Sequence, residues 1–302
     1  MKTLAQLGEF NFISAIAKKR LSHKAVVKGI GDDAAVVSIS KSDCLLFTAD
    51  MLIEDVHFLK TAKPQAIGHK AIACSISDIA AMGGLPLYAI VSVAFPKNLD
   101  SDFAKKIYSG MQKTAAKFSV DIIGGDTNAS EKIIIDVFLC GQVKRKELVL
   151  RSKAKTGDCI FVTGSLGGSQ SGGHLSFTPR VAEARFLASN YPINAMIDIS
   201  DGLIADLGHI LNQSKKGAIL EQQNIPIHPK ARCWEDAFYV GEDFELLFSL
   251  PEKAARKLRL NWPFKKVQLS YIGRITAETA ELKLLNKEGK LNKIKPGGYR
   301  HF

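Results

Sequence analysis

A chain of 302 residues exceeds the roughly 100 to 200 residues of one ordinary domain, so two domains are expected. Its 46% hydrophobic content supplies two cores, and 41 Lys and Arg against 30 Asp and Glu leave a formal charge of +11. That balance suits a nucleic acid or a small phosphorylated substrate, but the basic residues are dispersed as Lys18-Lys19-Arg20, Lys144-Arg145-Lys146, Lys215-Lys216 and Lys265-Lys266, the pattern of solvated faces. Five cysteines without CxxC spacing argue against a zinc site or disulfide framework and fit a reducing cytoplasm. The N-terminus lacks the apolar core of a signal peptide, and the uncharged stretch 79–95 is split by Gly83-Gly84 and Pro86, so no membrane span is expected.

Short apolar strands alternate with amphipathic helices. Residues 35–39 and 44–48 read as paired strands, and Pro64 can open a helix running to Met82. Residues 87–95 read as a buried strand. Phe103, Ile107, Met111, Ala115 and Phe118 recur near helical spacing, followed by a strand at 120–123 ending at Gly124-Gly125-Asp126 and a long strand at 133–143. Charge is dense and apolar periodicity stops over 144–155, which places the domain boundary there: 1–145 and 146–302. The second domain begins with a strand at 159–163, a Gly/Ser-rich turn at 164–173, a helix at 179–189, a strand at 195–199 and a helix at 202–212. A strand at 245–250, a helix at 252–260 and strands at 267–272 and 281–285 complete it.

Seven aspartates, Asp32, Asp33, Asp50, Asp78, Asp126, Asp198 and Asp201, sit at the ends of these apolar segments or among small residues. A carboxylate among alanines and isoleucines loses hydration and stays ionised only when paired or bound to a cation. Residues 73–84 around Asp78 contain no Lys or Arg, so a hard divalent cation such as Mg²⁺ is the partner that suits it. Taken singly the motifs have plainer readings. Gly29-Ile30-Gly31-Asp32-Asp33 reads as a turn entering a strand, and in Asp198-Ile199-Ser200-Asp201-Gly202 either Ser200 or Asp201 can cap the following helix. His57 reads as structural, and the carboxylates of Gly241-Glu242-Asp243 as exposed on a loop. No P-loop, kinase Gly-rich loop or H-R-D motif is present, so nucleotide chemistry here has to use carboxylate-held metals.

In combination, GIGDDAA, TADMLIEDVHF, SDIAAMGG, IGGDT, LRSKAKTGD, DISDGLIADLGH, GEDFELLF and the terminal GGYRHF, in that order over residues 8 to 302, resemble the thiamine-monophosphate kinases of the PurM-like superfamily. The resemblance implies an N-terminal α+β domain that dimerises, a C-terminal α/β domain, and ATP-dependent phosphorylation of thiamine phosphate. It makes Asp33, Thr48, Asp50, Asp78, Asp126, Asp198 and Asp201 the Mg²⁺ ligands, with Asp32 a supporting neighbour. Tyr108, Gly125, Asp126, Arg151 and Ser200 match nucleotide-contacting positions, and His57, Glu242 and Tyr299 match positions that hold thiamine phosphate. Among these, Asp78, Asp126, Arg151 and Asp201 are the expected catalytic residues. Ala49 stands where the family usually has a hydroxyl residue, Glu54-Asp55 where many members have glycine, and Val240 replaces a frequent glycine. Other PurM-like enzymes are less consistent with the chain. Its first cysteine is Cys44 and its tail is Tyr299-Arg300-His301-Phe302, against the N-terminal Cys or selenocysteine of selenophosphate synthetase and the C-terminal Cys of the hydrogenase-maturation dehydratase. An aminoimidazole ribonucleotide synthetase remains the alternative enzyme; a nucleic-acid-binding protein accounts for the charge but not for the aspartates.

Overall fold

The computed structural model describes residues 3–17 and 22–302, and the Lys18-Lys19-Arg20 cluster lies outside them. Two short helices, α1 (Leu4–Leu7) and α2 (Glu9–Ile16), precede a six-stranded mixed sheet. Its strands are β1 (Val26–Lys28), β2 (Ala35–Ser38), β3 (Asp43–Ile53), β4 (Leu85–Phe95), β5 (Asp121–Ala129) and β6 (Ile134–Lys144). They run in the order β1-β2-β3-β6-β4-β5, antiparallel except for the β4–β5 pair.

Alternation along β3 and β6 divides the sheet into two faces. Leu46, Leu52, Ile135, Val137 and Leu139 point inward against α3 (Pro64–Ala81) and α4 (Ser101–Lys117), where Ile72, Ile76, Ile79, Ile107 and Met111 complete the core. Each such fully buried side chain contributes on the order of 1.5–3 kcal/mol. Pro64 starts α3 at its first turn, as its fixed φ allows. The two helices approach so closely that a Cβ on Gly68 would lie 1.9 Å from the Ile107 carbonyl oxygen and one on Gly110 2.1 Å from that of Gln65. The opposite face of the sheet carries Met51, Tyr88, Ile90 and Phe138 exposed, with Phe47 and Phe138 stacked at 5.8 Å.

The second sheet is formed by β7 (Cys159–Thr163), β8 (Ala195–Asp198), β9 (Gly217–Glu221), β10 (Leu246–Leu250), β11 (Leu269–Thr276), β12 (Leu282–Leu285) and β13 (Leu291–Lys293), in the order β13-β12-β9-β11-β7-β10-β8. Only β9 and β12 pair in parallel. Helices α5 (Val181–Asn190), α6 (Leu203–Ser214), α7 (Asp236–Tyr239) and α8 (Glu252–Leu260) accompany it. α6 packs on one face and α5 with α8 on the other, so β7, β8 and β10 are buried at every position and are apolar except for Thr163, Asp198 and Ser249.

Three strands and three helices escape the sequence pattern: β1, β9, β13, α1 and α7 have three to five residues each, too few for a period to show, and α2 has only eight. Three boundaries need correction: the strand expected at 267–272 is β11, which runs on to Thr276 because β9 pairs with residues 273–276. β3 continues past Thr48 to Ile53 because β6 pairs with it throughout, and β5 does not end at Gly124-Gly125-Asp126 but runs on to Ala129 beside β4. Helix α3 lies between the two sheets, touching β3 and β6 on one side and β8 and α5 on the other. That placement brings the C-terminal half of α3 to the end of β8.

Candidate functional site

Asp33 follows the turn into β2, Asp78 lies in the last turn of α3, and Asp198 ends β8. Their carboxylate oxygens lie within 4.8 Å of one another. Asp33 and Asp198 are buried, and Asp33 Oδ2 is buried without a hydrogen-bond partner. Burial, and then the charges of Asp50, Asp198 and Asp33, push the Asp78 carboxyl well above the usual carboxylate range. Burial and Asp33 push Asp198 up to about 8. Three carboxylates this close stay ionised together only around a cation, and oxygen donors of this kind suit Mg²⁺.

Hydroxyls orient the carboxylates. Thr48 donates to Asp78, Ser75 to Asp50 at 2.9 Å and Ser77 to Asp198 at 2.6 Å. Burial and the neighbouring Asp136 also raise the Asp50 carboxyl. The Arg151 guanidinium donates to Asp33 at 2.7 Å, and the Arg151 backbone N–H donates to Asp32 at 3.2 Å. Lys28 Nζ lies 3.3 Å from the other Asp32 oxygen. Burial draws the Arg151 guanidinium down, but Asp33 and Asp32 outweigh it, so its positive charge is held firmly.

Asp201 follows β8 on a loop, and its carboxyl is pushed up to about 6, chiefly by burial and then by Glu9. The helix after it is not capped by Ser200 or Asp201, contrary to the sequence reading. Gly202 occupies the cap position, and Asp206 reaches back from the first turn to accept the Asp201 and Gly202 N–H groups at 3.1 Å each. The side chains of Ser200 and Asp201 therefore remain available to two adjoining cavities.

One cavity, about 860 Å³, is lined by Lys28, Asp32, Arg151, Asp206 and Gln213. The other, about 730 Å³, is lined by Asp50, His57, His174, Glu242 and Phe244. Ser200, Asp201 and Tyr299 form a wall common to both. The Tyr299 N–H donates to the Asp201 carbonyl at 2.9 Å, and its ring meets His301 edge-on at 5.0 Å. His57 accepts the Ile53 N–H at Nδ1, 3.0 Å away, and its ring lies 5.3 Å from that of His301.

Glu242 is not exposed as the loop sequence suggests. Its carboxylate pairs with the fully buried Lys70, and Oε2 lies 3.2 Å from His174 Nδ1. Burial favours its protonation, but the His174 ring and the Lys70 ammonium outweigh burial and hold the carboxyl below its usual range. Gly241 permits this fold of the loop, since a Cβ there would lie 2.1 Å from the Ser200 carbonyl oxygen. Asp243 accepts the Gly167 and Gly168 N–H groups at 2.7 and 3.2 Å, tying the Gly/Ser-rich turn to the same loop.

The remaining expected residues lie apart from this cluster. Asp126 and Gly125 are exposed on the edge strand β5, where Asn128 donates to Asp126 at 3.0 Å, and Tyr108 is exposed on α4. Across the sheet Asp126 pairs with Ser92, Ser92 with Asp136 and Asp136 with Met51, which places Asp126 three strands from β3, about 14 Å at ordinary strand spacing. Lys70, His174, His301 and Asp206 enter the site without having been singled out in the sequence. Only Lys70 left a signal, a charged residue on an apolar helix, spaced 4 and 8 residues from Cys74 and Asp78 on the same side.

Two family models match the chain: AIR synthase related protein, N-terminal domain, over residues 31–143, and AIR synthase related protein, C-terminal domain, over residues 163–283. The chain is 35% identical to thiamine-monophosphate kinase of Buchnera aphidicola subsp. Schizaphis graminum, over 98% of this chain and 99% of the relative. It is 32% identical to that of Bacillus subtilis, over 98% and 100%. A solved structure of AaThiL complexed with AMPPCP and TMP superposes with a TM-score of 0.87 at 34% identity, covering 100% of this chain and 99% of that one. A hydrogenase maturation protein HypE in complex with ATP, at 19% identity and a TM-score of 0.72, shares the fold.

Proposed function

From the premise that the chain belongs to the thiamine-monophosphate kinase family, we propose that it transfers the γ-phosphoryl group of ATP to thiamine phosphate, yielding thiamine diphosphate and ADP. The observation that carries this reading is the convergence of Asp33, Asp78 and Asp198 beside two cavities that share a wall. The Arg151 cavity receives the nucleotide and the Glu242 cavity the acceptor. In domain terms, residues 1–145 supply most of the acidic cluster and residues 146–302 supply Arg151, Asp198, Asp201 and the acceptor pocket.

Asp33, Asp78 and Asp198 would hold Mg²⁺, with Thr48, Asp50 and Asp201 alongside. Ions bound there supply the charge neutralisation and phosphate orientation that a phosphoryl transfer between two anions needs. Arg151, held by Asp33 and Asp32, adds a fixed positive charge for the triphosphate. The attacking group is a phosphate oxygen with a second pKa of about 6, largely ionised at neutral pH, so the side chains position it and no general base is required. It attacks the γ-phosphorus in line, and ADP leaves. Glu242 and Tyr299 receive the thiamine end, the carboxylate and the aromatic face both complementing a cationic heterocycle.

The apolar outer face of the first sheet, Met51, Tyr88, Ile90 and Phe138, is the surface on which a second copy would seat. The exposed positions of Tyr108, Gly125 and Asp126 fit a site completed across such a dimer. Five free cysteines fit a cytoplasmic setting, and no helix among the described residues is long and apolar enough to cross a membrane. The test is a coupled assay of ADP and product formation with thiamine phosphate, thiamine and an aminoimidazole ribonucleotide precursor as alternative substrates. Turnover confined to thiamine phosphate is expected. Turnover of the ribonucleotide precursor instead would replace this reading with that of an aminoimidazole ribonucleotide synthetase.

A further inference from the structure

Lys70 is fully buried in α3, yet an ammonium out of water survives only with its donors satisfied. Its ammonium donates to the His57 carbonyl at 2.6 Å and to the Glu242 carboxylate, and lies 2.8 Å from His174 Nδ1. None of the three belongs to α3. They come from the segment after β3, the Gly173–Leu175 turn and the loop before β10. All three residues line the acceptor cavity, whereas Lys70 lies behind its wall. The backbone at Glu242 is left-handed, with φ at 65°, a conformation a glutamate adopts only when its surroundings impose it. A single buried charge thus ties together three segments and holds one strained carboxylate toward the cavity. Along the same side of α3, two turns on, Asp78 serves the acidic cluster, so one rigid helix sets the distance between acceptor pocket and phosphates.

We propose that Lys70 is the positioning residue of the acceptor pocket: it does not touch the substrate but keeps Glu242 anionic and oriented to receive the cationic, amine-bearing end of the acceptor. This rests on the reading of Glu242 as acceptor-binding. The experiment measures steady-state kinetics at saturating Mg²⁺ for Lys70→Met, Glu242→Gln and the double variant, with folding checked by thermal melts. In Lys70→Met the KM for thiamine phosphate should rise about tenfold or more while kcat and the KM for ATP stay within about twofold. Because Lys70 acts through Glu242, the double variant should be no worse than the poorer single variant. An unchanged thiamine-phosphate KM in Lys70→Met, equal loss of ATP affinity, or losses that multiply in the double variant would each overturn the proposal. A normal KM in Glu242→Gln removes the reading of Glu242 and the role of Lys70 with it. A raised KM there beside a normal one in Lys70→Met removes only the latter. Should Lys70→Met fail to fold, Lys70→Arg keeps the charge but cannot place one nitrogen among three partners. A severalfold rise in thiamine-phosphate KM is expected for it, and a wild-type value overturns the proposal.

Discussion

Asp198→Asn removes one charge from the buried trio while keeping an oxygen to accept the Ser77 hydroxyl, so its effect on stability reports the electrostatics of the cluster. In the metal-free protein the Asp198 carboxyl is raised from 3.8 to about 8, first by burial and then by Asp33. The folded state therefore holds this proton more tightly than the unfolded chain. Its stabilising contribution is complete below the unfolded value and is lost as pH rises toward the folded one. Between those limits each pH unit costs the folded protein about 1.4 kcal/mol, which the asparagine variant does not lose. Over two units, from pH 5.5 to 7.5, the difference is roughly 3 kcal/mol, or about 5 °C in Tm for a chain of this size. Melting curves of both proteins in chelator across that range should show wild type falling more steeply. Added Mg²⁺ should lift wild type most at the alkaline end and the variant little, since a bound cation replaces the proton. Parallel pH profiles, or an equal Mg²⁺ response in both proteins, would refute the reasoning.

Two further outcomes follow from the cavities and the sheet face. Tyr299→Ala should raise the thiamine-phosphate KM by a factor corresponding to about 1 kcal/mol or more while barely changing that of ATP, and Tyr299→Phe should lose much less because the aromatic face persists. Equal weakening of both substrates, measured in the same steady-state assay, would make the residue a part of the wall common to both cavities and nothing more. Phe138→Asp sets a charge in the middle of the outer sheet face, beside Ile90 and stacked Phe47. Size-exclusion chromatography with light scattering should find it monomeric and assays should find it impaired, whereas a dimer of undiminished activity would place the subunit contact elsewhere.

The acidic end of the site was legible in the chain because the penalty for an unpaired carboxylate is local. Asp78 has no cation within its own helical turns, and Asp33 and Asp198 stand among apolar residues, so each announces a need for a partner wherever the chain goes. The long elements were legible for a similar reason: α3, α4, β4 and β6 span enough residues for a period of 3.6 or 2 to repeat. The sequence also carried the family motifs, and with them the reaction.

What the tertiary structure alone decided concerns partners. Glu242 reads as an exposed loop carboxylate until the fold sets it against Lys70, 172 residues earlier in the chain. His174, His301 and Asp206 acquire their roles in the same way, by contact. Asp126 reads as one more member of the acidic set, yet the parallel pairing of β5 with β4 leaves it on an exposed edge, three strands from β3. Sequence determines which groups cannot remain alone in a low-dielectric interior, because that cost is a property of the group and its neighbours along the chain. Which distant group answers it depends on sheet order and helix packing, and those are properties of the whole fold.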